Sequence, residues 1–392
     1  QKYFYIIAFN MVNPSAQNTL KRKFPPMGEV SKSLKIHWYR CPIDKYVLKE
    51  LMKPNNLKGF FYSLGGLFIW FLLGILTFYF FSMKIWWAFC FFLFFTGTVA
   101  SHFNAPQHEL CHKTVFKTKW LNDCFLVIYS LIAPFNFRIY QFSHTYHHRF
   151  TLFVEGDREE VMPENPSLRF LYLLQLFTIN IFGGYQSTGI IPTLANFFNI
   201  ALNRFDNPFL FWGSELYDGY PDHRKQAVNW ARFVLIFHFG FFLVCLYFNQ
   251  PIISLIFSGS SFIGGAHRYF VGVPMHCGLK PNVNDFRKCA RTIILNPFSE
   301  FLYWNMNWHL EHHMYAGVPH YNLKKLHQAV SKDMPTPRTL VGAWREMRNT
   351  WKKQKKDPDY AYDTPVPKIK SENDMITDVN SMSIGGLDPR NN

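Results

Sequence analysis

The chain has no CxxC pair. Its seven cysteines, at positions 41, 90, 111, 124, 245, 277 and 289, are odd in number and scattered. That argues against a disulfide framework, an iron–sulfur cluster or a zinc ribbon within it. No glycine-rich nucleotide loop and no internal repeat stands out, so nucleotide-cofactor folds and repeat arrays find no support. The first ten residues (QKYFYIIAFN) have neither a basic n-region nor a small-residue cleavage site, and no signal peptide is expected. They read as a leader artefact or a fragment end, with Met11 the expected start. Acid is scarce: 26 Asp and Glu stand against 41 Lys and Arg, a net charge of +15. So basic a surface could serve nucleic acid. The long uncharged runs instead favour anionic lipid headgroups or an acidic redox partner, and no nucleic-acid partner is expected.

What the chain has in excess is apolar and aromatic surface, with 48% hydrophobic residues and 43 Phe, a composition that fits a membrane protein with water-exposed parts. Phe60–Ser82 holds 23 residues without a charge, enough to span ~30 Å of hydrocarbon. After Met83-Lys84, Ile85–Ser101 supplies a second span, and so short a turn makes the two an antiparallel hairpin. Asn104 is expected to cap a further helix, with Pro106 in its first turn, that carries His108 and His112 about 10 Å beyond the span. Phe125–Phe135 is too short to cross. Leu171–Asn203 is uncharged but interrupted by Gln175, Asn180, Gly183-Gly184, Gln186, Ser187 and Pro192, which suggests helices lying in the interface or re-entering it. Phe233–His267 is uncharged for 35 residues, ~52 Å if helical and too long for one crossing, and Asn249-Gln250-Pro251 divides it into two.

The expected architecture is therefore an all-α, polytopic membrane protein with about four transmembrane helices in two hairpins and a helical cap. Residues 1–59 form a basic cytosolic segment containing Lys21-Arg22-Lys23, a surface helix near Ile43–Met52 that stops at Pro54, and Trp38 and Tyr39 as headgroup-level anchors. Residues 60–330 form the main domain. Residues 331–392 form a C-terminal helix and a tail, disordered after Lys356. Two hairpins put 11–59, 102–230 and 268–392 on one side and leave Lys84 the only basic residue in the opposite turns. The positive-inside tendency makes the basic side cytosolic.

That same side carries the histidines. His309-Leu310-Glu311-His312-His313 places three imidazoles at i, i+3 and i+4, on one face if helical. His144-Thr145-Tyr146-His147-His148 repeats the pattern, and His108-Glu109-Leu110-Cys111-His112 adds a pair four apart. Two HxxHH patterns plus an HxxxH arise together by chance in roughly one chain in a thousand or fewer. Imidazole is a general transition-metal ligand, and these eight can hold two ions. His276, in Met275-His276-Cys277-Gly278, is a ninth candidate with His267 its rival. An all-imidazole set with two close metals suits oxygen activation and so iron, although ligand type alone leaves zinc open. Glu109, Glu311, Asp157 and Glu159 are candidate acceptors for the outer imidazole N–H groups. His37, His102, His223, His238, His320 and His327 read as structural or surface residues.

Three other readings compete. HELCH alone fits a zinc peptidase with Glu109 as base, but this leaves two HxxHH clusters unexplained. A bis-imidazole haem protein needs histidines facing each other across spans. A metal transporter needs ligands inside the spans, where only His238 lies.

HELCH, HTYHH and HLEHH resemble the three histidine boxes of the integral-membrane fatty-acid desaturase and hydroxylase superfamily, and the resemblance covers roughly Trp38 to Gln328. MHCGL around His276 resembles the extra ligand motif that these relatives carry before the third box. The resemblance implies a non-haem centre of two Fe ions with O2 as co-substrate. It also implies two electrons from an external donor such as ferredoxin or cytochrome b5, and a lipid or acyl-chain substrate in the membrane. Carried over, the ligands are His108, His112, His144, His147, His148, His276, His309, His312 and His313. The HPGG signature of a fused cytochrome b5 domain is missing, so the implied donor is separate. The Glu of HELCH occurs in some hydroxylases, whereas the second and third boxes look more like a desaturase. The expected activity is acyl-lipid desaturation, with alkyl or lipid hydroxylation the alternative and a zinc membrane peptidase a more distant one.

Overall fold

The computed structural model describes residues 25–157, 159, 168–183, 188–207, 210, 213–368 and 375–376. Met11, Lys21–Lys23, Arg158, Glu160, Gly184, Gln186 and Ser187 lie outside the described residues. Helix α1 (Lys45–Leu51) begins at Asp44, whose carboxylate accepts from the Tyr46 and Val47 amides, and ends before Pro54 as expected. Asn55 caps α2 (Asn56–Ser82) by accepting from the Lys58 amide. The 27 residues of α2 reach ~40 Å. Lys84 then takes a left-handed φ of 56° and turns the chain into α3 (Trp86–Ser101). Inside this hairpin the Thr77 and Thr96 hydroxyls lie 3.0 Å apart, and each also bonds a carbonyl one turn back on its own helix. Neither polar group is therefore left bare in a lipid environment.

Helix α4 (Asn104–Cys111) continues the path of α3 after a two-residue turn. Asn104 does not cap it. The entry residue Phe103 already has helical backbone angles, so Asn104 falls inside the first turn and makes no capping bond. Next come α5 (Lys119–Ile132) and α6 (Phe137–Phe150), bent by 111° relative to each other. Two short apolar helices, α7 (Phe170–Phe177) and α8 (Ile190–Ala201), precede α9 (Pro221–Tyr247). Among the described residues three helices are long and apolar enough to cross a membrane: α2, α3 continued through α4, and α9. They become four if the bent α5–α6 pair counts as one. Phe61, Phe68, Phe71 and Ile75 on α2, and Ile236, Phe239 and Val244 on α9, are exposed. An apolar collar of this size belongs against lipid.

The second hairpin departs from expectation in its return leg. Its first half is longer than the uncharged run, because α9 begins at Pro221 and includes charged first turns. Its second half, α10 (Pro251–Phe262), has only 12 residues counted from its bounds, ~18 Å, which is too short for a crossing. The helix widens at Leu255–Gly259, tightens at Ser260–Phe262 and stops at Gly264, which has φ 61°. Non-helical backbone then runs to α11 (Ala266–Gly272). Its polar groups are met by neighbours. The Gly264 amide donates to Thr178 O at 3.0 Å, the Asn180 amide to Phe262 O at 2.8 Å, and the Thr98 hydroxyl to Gly264 O at 3.0 Å. Irregular backbone at this depth persists only where protein satisfies it. Gly97 on α3 makes the fit possible, since a Cβ there would lie 2.4 Å from Ile263 O.

Helices α12 (His309–Met314), α13 (Leu323–Val330) and α14 (Leu340–Gln354) complete the cap. Strands β1 (Trp38–Tyr39), β2 (Ile293–Ile294), β3 (Arg338–Thr339) and β4 (Met375–Ile376) make two short ladders, β1 antiparallel to β4 and β2 parallel to β3. Trp38 and Tyr39 are not headgroup anchors. Both are buried: Trp38 stacks on Phe286 at 4.0 Å, and Arg287 lies over the Tyr39 ring. An indole with a large apolar face and one N–H gains more from a closed core, here donating to Arg149 O, than from the interface. The stretch after Lys356 is ordered through Lys368, with the Tyr362 amide on Gly278 O and Asp363 paired to Lys280 and Lys288. Its polar composition suggested disorder, but these charges have partners on the cap.

Gly97→Val forces a branched side chain into the Ile263 backbone and should cost about 1–3 kcal/mol. Gly240→Ala, in α9 with nothing near the added methyl, should cost nothing. Thermal unfolding of the detergent-solubilised protein checks both.

Candidate metal centre

Four segments deliver nine imidazoles. His108 and His112 sit on and just after α4, His144, His147 and His148 on α6, His276 in the turn after α11, and His309, His312 and His313 on α12. All but His108 are nearly inaccessible to solvent. Their nitrogens fall into two sets, each with every member atom within 4.8 Å of the others: His108, His112, His144, His148 and His312, and His147, His276, His309 and His313. Helix geometry explains the division. Residues four apart share a face, so each HxxHH box sends its i, i+4 pair to one set and its remaining His to the other. The pairs are His144/His148 and His309/His313, and they go to opposite sets. The sets adjoin, with the His148 and His313 rings 4.4 Å apart. Of the two rivals, His276 joins, whereas His267 bonds His102 and Ser299.

On five of the nine rings an outer acceptor fixes the tautomer. His108 Nδ1 donates to Glu109 at 2.9 Å, His144 Nδ1 to Glu159 at 2.9 Å, His147 Nδ1 to Asp157 at 2.8 Å and His276 Nδ1 to Cys289 O at 2.8 Å. The Thr151 hydroxyl gives its proton to His147 O and so accepts from His313 Nδ1. A neutral imidazole has one N–H, and once that points outward Nε2 presents a lone pair. His276 Nε2 and His313 Nε2 then face each other at 3.1 Å, and His309 Nε2 lies 2.8 and 3.1 Å from them. In the other set His148 Nε2 is 3.1 Å from both His144 Nε2 and His312 Nε2, and buried His108 Nε2 has no hydrogen-bond partner. Converging lone pairs repel unless a cation lies between them. Nitrogens ~2.1 Å from one metal and at right angles are ~3.0 Å apart. The donor sets fit two transition-metal ions.

Carboxylates support the rings unequally. Burial alone would raise the Asp157 carboxyl, but His147 and the Glu159 and Leu152 amides outweigh it and hold it below the usual range. Glu109 also lies 3.4 Å from His312 Nδ1. Glu311, expected to hold a clustered imidazole, bonds the Thr292 hydroxyl and His327 instead, because its position on α12 turns it away from the sets. His327, read as ordinary, is thus the partner of Glu311 rather than a support of the imidazole sets. Tyr140 stacks on His144 at 4.6 Å, and its place one turn before that His on α6 could have marked it. Arg291 pins the His276 turn, donating to Pro274 O and Cys277 O while Glu346 on α14 holds its Nε.

A cavity of about 490 Å³ opens onto both sets, touching His108, His144, His147, His276 and His309 and extending to Phe197 and Phe262 between the apolar helices. Glu109 is committed to His108, which disfavours a peptidase base there. The fatty acid desaturase family model matches residues 84–345, two thirds of the chain. None of the curated proteins compared with the chain matches it.

Burial pulls His276 down to about 3, and holds His309, His312 and His313 far below the ordinary 6.5. The unfolded chain therefore takes up more protons than the folded one between those values. The stability and metal affinity these rings confer are complete above about 6.5 and fall as pH drops towards 3. Unfolding temperature and bound metal should both hold from pH 8 to 7 and decline together below about 6.5. Asp157→Asn should weaken metal binding ~10–100-fold and Glu311→Gln less, as read by competition with a chelator.

Proposed function

The chain belongs to the fatty acid desaturase family, and on that premise we propose that it is a membrane-bound di-iron desaturase that introduces a double bond into an alkyl chain. Membership implies an oxygen-dependent oxidoreductase acting on lipid chains. The observation that carries the finer reading is the pair of buried imidazole sets, five and four strong, opening on a cavity walled by apolar helices. The overall change takes two hydrogens from neighbouring carbons, with O2, two electrons and two protons, and yields an alkene and two waters. Iron held by His108, His112, His144, His148 and His312, and by His147, His276, His309 and His313, would supply the reductive activation of oxygen.

The protein's own groups do the rest. Burial keeps the rings neutral, and Glu109, Asp157, Glu159 and the Cys289 carbonyl hold four of them in one tautomer and correctly aimed. The cavity wall holds the chain against the sets and excludes water. The electrons come from an external donor, a ferredoxin, a cytochrome b5 or a similar protein. The histidine boxes face the cytosol, the side that carries nearly all the Lys and Arg.

Purified protein should contain about two irons per chain. A lipid-profiled host expressing it should gain unsaturated chains that His312→Ala abolishes without loss of expression. New hydroxylated chains would instead assign the hydroxylase reaction, and stoichiometric zinc with peptidase activity would overturn both.

A further inference from the structure

The cavity that meets the metal sets at one end holds a cation at another part of its wall. Arg268, on α11, lines it together with Tyr172, Thr188 and Tyr303. This residue is also the first charge after the 35 uncharged residues that precede it. Two other buried arginines of the cap have carboxylate partners: Arg287 forks onto Asp285 and reaches Asp333, and Arg291 bonds Glu346 and two carbonyls, while buried Arg40 lies over the Phe286 and Tyr315 rings. Among the described residues no carboxylate, hydrogen bond or aromatic face engages Arg268. Its surroundings within electrostatic reach are two neutral phenols, Tyr172 and Tyr303, and His102. A half-buried guanidinium with five unused donors is costly unless something anionic meets it.

Glu159 is the acid among the described lining residues and is taken up by His144, which leaves Arg268 the unmatched charge of the wall. Apolar side chains such as Ile139, Phe197, Leu210 and Phe262 also line it and suit an alkyl chain, and ~490 Å³ falls in the range that encloses one small ligand.

We propose that Arg268 anchors the head of the substrate, and that this substrate is a single-chain amphiphile ending in an oxyanion, a carboxylate or a phosphate monoester. The inference rests on the cavity being the alkyl-chain site of the reaction proposed above. The guanidinium fork takes two oxygens of the head at once, and the chain extends towards the imidazole sets. The head then fixes which carbons reach the metals, so chain position is measured from the polar end.

The test uses the full-length, iron-loaded protein in phosphatidylcholine nanodiscs, with empty discs subtracted. Radiolabelled octadecanoate, octadecyl phosphate and octadecanol are the three probes. At least one anion should bind ten-fold or more tighter than octadecanol, and which of the two does so identifies the head. Arg268→Gln should reduce that anion to the affinity of octadecanol and leave octadecanol itself unchanged, while Arg268→Lys recovers part. Iron content and unfolding temperature establish that each variant is folded. Competition on the wild-type protein decides independently of any variant: the preferred anion should be displaced by its own unlabelled form and not by equimolar octadecanol. Equal binding of the three probes, or an anion preference that survives Arg268→Gln, overturns the proposal. Failure of the underlying reaction looks different, as tight anion binding with the chain recovered unaltered after oxygen and reductant are supplied.

Discussion

The structure depends on keeping nine imidazoles uncharged in a place where water cannot reach most of them. Each protonation would place a charge in a buried, low-dielectric site beside other rings, and burial together with the neighbouring rings drives His276, His309 and His313 far from protonation. Neutrality leaves a single N–H per ring, and the protein spends it on a fixed outward acceptor wherever one is built: Glu109, Asp157, Glu159, Cys289 O or the Thr151 hydroxyl. The inward nitrogens are then lone pairs by elimination. A pocket of this kind is unfavourable by itself and stable around metal ions, so metal binding and folding are linked.

The membrane-facing part positions this pocket. The α2–α3 hairpin stands in lipid, and α4 continues α3 so that the first histidine pair is held at the end of a long, rigid element. The return leg after α9 is half helix and half irregular backbone, tolerated because Thr178, Asn180 and Thr98 satisfy its polar groups and Gly97 leaves room for it. That irregular stretch leads directly into α11, and therefore into the turn that supplies His276, the histidine of the sets outside the three boxes. The turn itself is held by Arg291 and the Cys289 carbonyl, so α14, through Glu346, helps hold His276 in place.

Much of this was legible in the residues. The HxxHH and HxxxH spacings name eight histidines and put each trio on one helix face, whereas the division of each HxxHH box between two sets came from the structure. The uncharged runs predict α2, α3 and α9, and the placement of basic residues predicts that all boxes share one side. Misreadings arose where a local property was taken without its tertiary setting. Trp38 and Tyr39 have the chemistry of interface anchors but find a stacking partner in Phe286 and a cation in Arg287. Asn104 has the chemistry of a cap but lies one residue inside a helix that barely breaks from its predecessor. The 357–368 segment has the composition of a disordered tail but finds Lys280, Lys288 and Gly278 O.

Sequence alone determined the histidine boxes and the membrane class, because each follows from residue type and short-range spacing. The MHCGL motif pointed to His276, and the tertiary structure brings it, and not His267, to the second set. Only the tertiary structure decided that Asp157 and Glu159, rather than Glu311, hold the rings, and that Arg268 lies in the same cavity as the imidazoles. These are relations between segments tens to hundreds of residues apart, fixed by how helices pack and by which buried polar groups remain to be satisfied, and no local pattern encodes them.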